Sequence, residues 1–170
     1  MRKIITKISA FLDRTCCAAA LAFFTGMLIL VAFQVVARYV FRAVPVWTEE
    51  AARYCMVWGG LLGATVAFRA NVDPVLIKPP TTGRPAWTIS ARWLRALATV
   101  VFLGPVLYHS ARFLQRTWYR TTNALGIPMA FVTVAVPLSI AVIFFHLIAR
   151  LLDPDGLQES EVTTEKESVT

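Results

Sequence analysis

A cluster of charged residues in an otherwise apolar region is the part of the sequence best suited to specific chemistry. Adjacent carboxylates, Glu49 and Glu50, lie among arginines at positions 38, 42, 53 and 69. Glu49 and Arg53 are four residues apart, so they can pair along one face of a helix. Thr48 is expected to cap that helix, which would place both carboxylates in the first turn, at the positive end of the helix dipole.

The residues just before the carboxylates suggest a second pairing. Pro45 should end the preceding helix, and a short turn would then bring Arg38 or Arg42 near Glu49 or Glu50. Charges partly withdrawn from water are costly unless they are matched, and the matching fixes one packing register. The alternative is a solvated cluster at the membrane interface with little energetic weight, and composition alone does not separate the two.

Other residue types that carry chemistry are sparse and scattered. Cys16 and Cys17 are neighbours, so on a helix their side chains point about 100° apart and do not easily share a metal or a bridge. His109 and His146 lack a Glu or His three or four residues away, although either could hydrogen-bond to a neighbouring helix. No glycine-rich phosphate loop or nucleophile elbow is present. We therefore expect no catalytic residue, no cofactor and no metal site, and the chain is predicted not to be an enzyme.

The composition shows what kind of element must position the charged cluster. Of the 170 residues, 57% are hydrophobic and only 16% are charged, against roughly 25% charged in soluble domains. No charge interrupts residues 15–37 or 121–149, and crossing the hydrocarbon layer takes roughly 20 helical residues. Two shorter windows reach that length if flanking charges snorkel to the interfaces. The sequence predicts an all-α membrane protein with one domain, residues 1–152, and spans at about 15–37, 47–68, 92–115 and 127–149.

Basic residues predict the orientation of these spans. Eleven Lys and Arg residues fall on the side of both termini and six on the other, so both termini are predicted to be cytoplasmic. The first apolar run is longer than the core of a signal peptide, and we expect an uncleaved span. Residues 153–170 form an acidic tail without aromatic residues, predicted to be disordered. The basic body suits anionic lipid headgroups, and basic residues at span ends argue against nucleic acid binding.

Two segments resemble a known family of membrane proteins. The stretch RYVFRAVPVWTEEAARYCMVWGGLLGATVAFR, residues 38–69, resembles the DctQ-type small membrane subunit of tripartite ATP-independent periplasmic (TRAP) transporters. The stretch TTNALGIPMAFVTVAVPLSIAVIFF, residues 121–145, resembles the last span of that family. The sequence departs from the family's pattern after the second helix, where Val72 and Asp73 are present without the usual Gly and His. The likeness extends over roughly residues 15–150.

The resemblance implies a division of labour among three proteins. A large membrane subunit would hold the substrate and ion sites, and a periplasmic binding protein would deliver an organic acid. An ion gradient would drive uptake across the bacterial inner membrane, and this chain would act as a non-catalytic scaffold. Small residues favour close helix packing in lipid, so Gly59 and Gly63 are candidate contacts to the large subunit. The full set of interface candidates is Arg38, Trp47, Glu49, Glu50, Arg53, Gly59 and Gly63.

Two alternatives of a different class remain open from the sequence. A small autonomous carrier would need polar groups at mid-membrane, and the predicted spans offer little beyond Gln34 and scattered hydroxyls. An anchor subunit of a membrane enzyme would share the composition but not the DctQ-like segments.

Overall fold

The computed structural model describes the backbone of residues 2–43, 45–70 and 85–152, and side chains within residues 8–43, 45–70 and 93–151. Helix α1 covers Arg2–Val36 and continues into a π-helical turn at Ala37–Phe41. Helix α2 covers Val46–Ala70 and α3 covers Pro85–Trp118. A short α4, Ala130–Thr133, leads into α5, Ala135–Leu152. The acidic tail lies outside the described residues, so its predicted disorder stays a prediction.

Four stretches of these helices are long and apolar enough to cross a membrane: Ile8–Phe41, Val46–Ala70, Trp93–Trp118 and Ala130–Leu151. The number and order of the predicted spans are confirmed. The helices α1 and α3 are longer than predicted, because hydropathy marks the apolar part of a helix and not the polar turns that continue it. The orientation of the termini remains a prediction from the basic residues.

Proline and a left-handed residue set the breaks between helices. Arg42 follows the π-helical turn with φ of +52°, a conformation that non-glycine residues seldom adopt. The chain then passes through Pro45, whose carbonyl accepts the Thr48 amide at 3.2 Å as α2 begins. Pro137 has no amide hydrogen for the carbonyl of Thr133, four residues earlier, and α4 and α5 are separated at Val134 between them.

A hydrophobic cluster of buried residues joins α1 and α2. Cys16, Ala20 and Leu62 form a buried cluster, on which Phe23 and Trp58 pack. The rings of Phe23 and Trp58 are stacked, with centroids 5.6 Å apart. Small side chains let the two helices approach closely, as expected where lipid supplies no hydrophobic drive for association. The described part of α3 behaves differently, because most of its large apolar side chains are exposed on the surface of the chain.

Candidate functional site

Glu50 is the centre of the most extensive polar contact between distant parts of the chain. It lies in the second turn of α2, and its Oε2 accepts hydrogen bonds from the backbone amides of Ala124 and Leu125 at 2.9 and 2.8 Å. The Tyr54 hydroxyl, one turn further along α2, donates to Oε1 at 2.5 Å. We call these four residues the Glu50 junction. It fastens the beginning of α2 to the loop between α3 and α4.

The loop that Glu50 binds is itself folded by backbone hydrogen bonds. The Met129 amide donates to the Arg120 carbonyl at 2.8 Å, and the Thr122 amide donates to the Ile127 carbonyl at 2.9 Å. Gly126 has φ of +67°, which glycine adopts without the steric cost that a Cβ would add. This closed hairpin turns the amides of Ala124 and Leu125 towards Glu50. A carboxylate is a strong acceptor for such backbone donors.

Two further contacts hold the same loop against its neighbours. The indole nitrogen of Trp58 donates to the Phe131 carbonyl at 3.1 Å, which joins α2 to α4. The hydroxyls of Thr117 and Thr133 lie 2.9 Å apart and join α3 to α4. Together with the Glu50 junction, these bonds make one end of the bundle a connected polar structure.

The predicted ion pair is confirmed for Glu49 but not for Glu50. Glu49 pairs with Arg53 at 3.0 Å, as the spacing predicts, but both side chains are mostly exposed. Arg38 and Arg42 are exposed and, within the described residues, neither forms an ion pair with Glu49 or Glu50. That prediction was wrong, because the left-handed Arg42 redirects the chain and the loop amides occupy Glu50.

Thr48 does not have its predicted capping role. Helix α2 begins two residues earlier, at Val46, and Thr48 is fully buried inside the first turn. Its hydroxyl donates to the Pro45 carbonyl at 2.7 Å, so it satisfies an acceptor before the helix and caps no amide. Trp47, beside it, is about half exposed at the end of the span, where an interfacial aromatic residue is expected.

The structure shows which glycines of α2 face α1. A Cβ on Gly59 would lie 3.3 Å from the Phe24 ring of α1, so Gly59 packs against α1. The contact of Gly59 and Gly63 with a large subunit stays a prediction. Gly63 faces the same ring at 4.0 Å. Gly60, which the sequence did not single out, is exposed and has nothing within 4 Å of its Cβ position. Gly60 is therefore the glycine of α2 that leaves an exposed part of the helix surface without a side chain.

A second polar contact, which sequence reasoning missed, lies at the opposite end of α2. Arg69 forms an ion pair with Asp13 of α1, and both side chains are about one-fifth exposed. The hydroxyl of Ser9, also on α1, lies 2.9 Å from Nδ1 of His146 on α5. We call these four residues the Asp13 junction. The ability of His146 to bond to a neighbouring helix is confirmed, whereas His109 bonds to the Pro105 carbonyl of its own helix at 2.9 Å.

The Asp13 junction is less completely satisfied than the Glu50 junction. Three of its buried atoms have no hydrogen-bond partner among the described residues: Oδ1 of Asp13, Nε of Arg69 and Nε2 of His146. Arg150 lies near this junction, with its guanidinium 5.6 Å from the centre of the Phe68 ring. A carboxylate inside an apolar helix is costly unless it is paired, and that rule would have drawn attention to Asp13.

Neither junction resembles a catalytic or metal site. The described residues contain no group of three or more His, Cys, Asp or Glu side chains that could hold a metal ion. Cys16, Cys17 and Cys55 are free thiols. The acidic side chains of the described spans lie near span ends, and each has protein partners that join one helix to another or one turn to the next. The arrangement is suited to fixing helices relative to each other.

Comparison with known proteins identifies one family. The family model described as "Tripartite ATP-independent periplasmic transporters, DctQ component" matches residues 27–155, about three quarters of the chain. No curated protein matches the chain significantly. The matched region includes the whole Glu50 junction, with Arg69 and His146 of the Asp13 junction, whereas Ser9 and Asp13 precede it.

Proposed function

The chain belongs to the DctQ family of TRAP transporter components, and we propose that it is a scaffold that fixes the large membrane subunit and carries no solute itself. The family functions in a tripartite complex with a large membrane subunit and a periplasmic binding protein. The chain is accordingly a small multi-pass membrane subunit of such a transporter. Its scaffolding role, the substrate class and the driving force are the parts that we propose.

The Glu50 junction is the observation that carries the scaffolding role. It joins two segments 74 residues apart, and both belong to the stretches that resemble the DctQ family. A carboxylate that accepts two backbone amides and a phenol has its hydrogen-bonding capacity occupied by the protein. Such a group holds a loop in place and offers little to a passing solute.

The distribution of surface supports the same role. Large apolar side chains are exposed along α1 and α3, whereas the polar junctions are confined to the two ends of α2. Apolar surface of this kind is stable in contact with lipid or with another membrane protein. We propose that the large subunit covers part of it, and that the substrate is an organic acid taken up with an ion gradient, as the family resemblance implies.

Reconstitution tests the proposal directly. Proteoliposomes would hold this chain alone, the large subunit alone, or both, with the binding protein, a labelled organic acid and an inward sodium gradient supplied outside. We expect this chain to co-purify with the large subunit, and uptake to appear only when both are present. Uptake by this chain alone would instead make it an autonomous carrier. Failure to bind the large subunit would remove the scaffolding role.

A further inference from the structure

The end of α3 carries arginines on one exposed face. Tyr108, Arg112 and Arg116 are spaced by four residues, so they share one side of the helix, and Arg120 follows shortly after the helix ends. All four side chains are exposed. We call these four residues the α3 arginine face.

Tyr108 fixes the direction of the Arg112 side chain. The guanidinium lies 5.2 Å from the centre of the Tyr108 ring, and Nη2 donates to the Tyr108 hydroxyl at 3.0 Å. The side chain thus folds back towards the preceding turn, which lies deeper in the apolar span. Arg112 therefore presents its charge at a defined position, with donors left over, because a guanidinium carries five.

These arginines have no acidic partner within the described chain. Helix α3 contains neither Asp nor Glu, and the ion pairs between described residues use other groups, Arg53 with Glu49 and Arg69 with Asp13. Glu50 of α2, which contacts the nearby loop, is bound to backbone amides of that loop and to Tyr54. The α3 arginine face is therefore a concentration of positive charge without a matching anion among the described residues.

Depth in the membrane indicates which anion can reach it. Trp118 and Tyr119 are strongly exposed at the end of α3, as aromatic residues at the level of lipid headgroups are. Arg112 precedes Trp118 by six residues, which places it about 9 Å further into the span. A soluble periplasmic protein does not reach that depth, whereas the phosphate of a phospholipid can be drawn to a guanidinium there.

From these observations we propose that the α3 arginine face binds the headgroup of an anionic phospholipid such as phosphatidylglycerol. Arg112 and Arg116 would bind the phosphate oxygens, for which the planar guanidinium is well shaped. Arg120 adds positive charge at the headgroup level. A net-negative lipid is favoured over a zwitterionic one because no carboxylate of α3 offsets the arginines. This proposal is independent of whether the chain acts as a scaffold.

Lipid binding to the purified complex with the large subunit tests the proposal. Native mass spectrometry would measure retained phosphatidylglycerol, and thermal unfolding would be compared after addition of phosphatidylglycerol, phosphatidylcholine or inorganic phosphate. The test variant is Arg112→Gln/Arg116→Gln. The matched control is Arg53→Gln, because Arg53 is an exposed arginine near a span end that already has a carboxylate partner.

The proposal predicts selective retention of phosphatidylglycerol and stabilisation by it beyond that given by phosphatidylcholine or phosphate. A basic residue near an anionic membrane surface contributes roughly fivefold in affinity, so the double variant should bind phosphatidylglycerol about 25-fold more weakly. The control should bind like the wild type. The proposal would be overturned by equal retention in the double variant, by equal stabilisation with inorganic phosphate, or by a structure in which a carboxylate of the large subunit occupies Arg112 and Arg116.

Discussion

The two polar junctions lie at opposite ends of α2 and are built on different principles. In the Glu50 junction, a carboxylate accepts backbone amides from a loop that is distant in sequence, and each of its oxygens has a partner. In the Asp13 junction, a carboxylate faces an arginine, and three buried polar atoms have no partner among the described residues. The first fixes the path of a loop, whereas the second joins helices whose paths are already set by packing.

This difference shows which contact specifies the structure. An ion pair between two helices can be replaced by apolar packing with little loss, because much of its attraction only offsets the cost of desolvation. Backbone amides cannot be replaced, and inside a membrane protein they need an acceptor wherever water is excluded. We therefore expect the Glu50 junction to be the more sensitive of the two, and the variants below test that ranking from the largest expected effect to the smallest.

Replacement of Glu50 should have the largest effect. Glu50→Gln keeps the size of the side chain but removes the charge, and it leaves one acceptor oxygen where the wild type has two. That oxygen can accept from the Ala124 and Leu125 amides only if the new NH2 group faces the Tyr54 hydroxyl, which donates to Glu50 in the wild type. We expect the largest loss of folded, monodisperse protein in the series, together with faster proteolysis of the loop between α3 and α4. Size-exclusion chromatography in detergent and limited proteolysis would measure these effects.

The adjacent carboxylate provides the matched control for that experiment. Glu49→Gln breaks only an exposed pair with Arg53, and pairs of this kind contribute about 0.3–0.5 kcal/mol. Equal damage from Glu49→Gln and Glu50→Gln would show that the general charge at this end matters and the junction does not.

Disruption of the Asp13 junction should have the next largest effect. Asp13→Asn leaves Arg69 partly buried without its counter-charge and should lower the free energy of unfolding by about 3 kcal/mol, the low end for buried pairs, because both side chains are partly exposed. The double variant Asp13→Leu/Arg69→Met should recover most of that loss. Reversible unfolding in mixed detergent would measure both. If the double variant does not recover stability, the Asp13 junction specifies the structure as strongly as the Glu50 junction does.

The α1–α2 contact lies between the two junctions along α2. Overpacking of this contact should have a smaller effect than disruption of either junction. Gly59→Val would push against the Phe24 ring and should cost about 1–3 kcal/mol in unfolding free energy. Gly60→Val is the control, since nothing lies within 4 Å of a Cβ at that position. Thermal unfolding of the isolated chain would separate them. A more severe effect at Gly60 than at Gly59 would contradict the packing described for α2.

The sequence was sufficient to predict the helices but not their contacts. Uncharged windows between basic residues located all four spans, because the membrane imposes a minimum apolar length. The spacing of Glu49 and Arg53 predicted their pairing, since that contact lies within one helix. Hydropathy does not report where a helix ends in polar surroundings, and α1 and α3 therefore extended beyond the predicted spans.

The partners of Glu50 could not be predicted, for a physical reason. Ala124 and Leu125 contribute backbone amides, which every non-proline residue has, so their side chains give no sign of the contact. The direction of Gly59 was equally hidden, because Gly59 and Gly63 lie on one side of α2 and Gly60 on another, and composition does not say which side α1 takes. Asp13 was visible in the sequence, but its arginine partner lies 56 residues away.

The most direct test of the scaffolding role is uptake measured per assembled complex. Wild type, Glu50→Gln and Glu49→Gln would each be purified with the large subunit and reconstituted, and the uptake rate divided by the amount of intact complex. A scaffold predicts that Glu50→Gln lowers the yield of complex while each complex that forms transports at close to the wild-type rate. Full assembly of Glu50→Gln with lost transport would contradict this account, because Glu50 would then take part in the transport step itself.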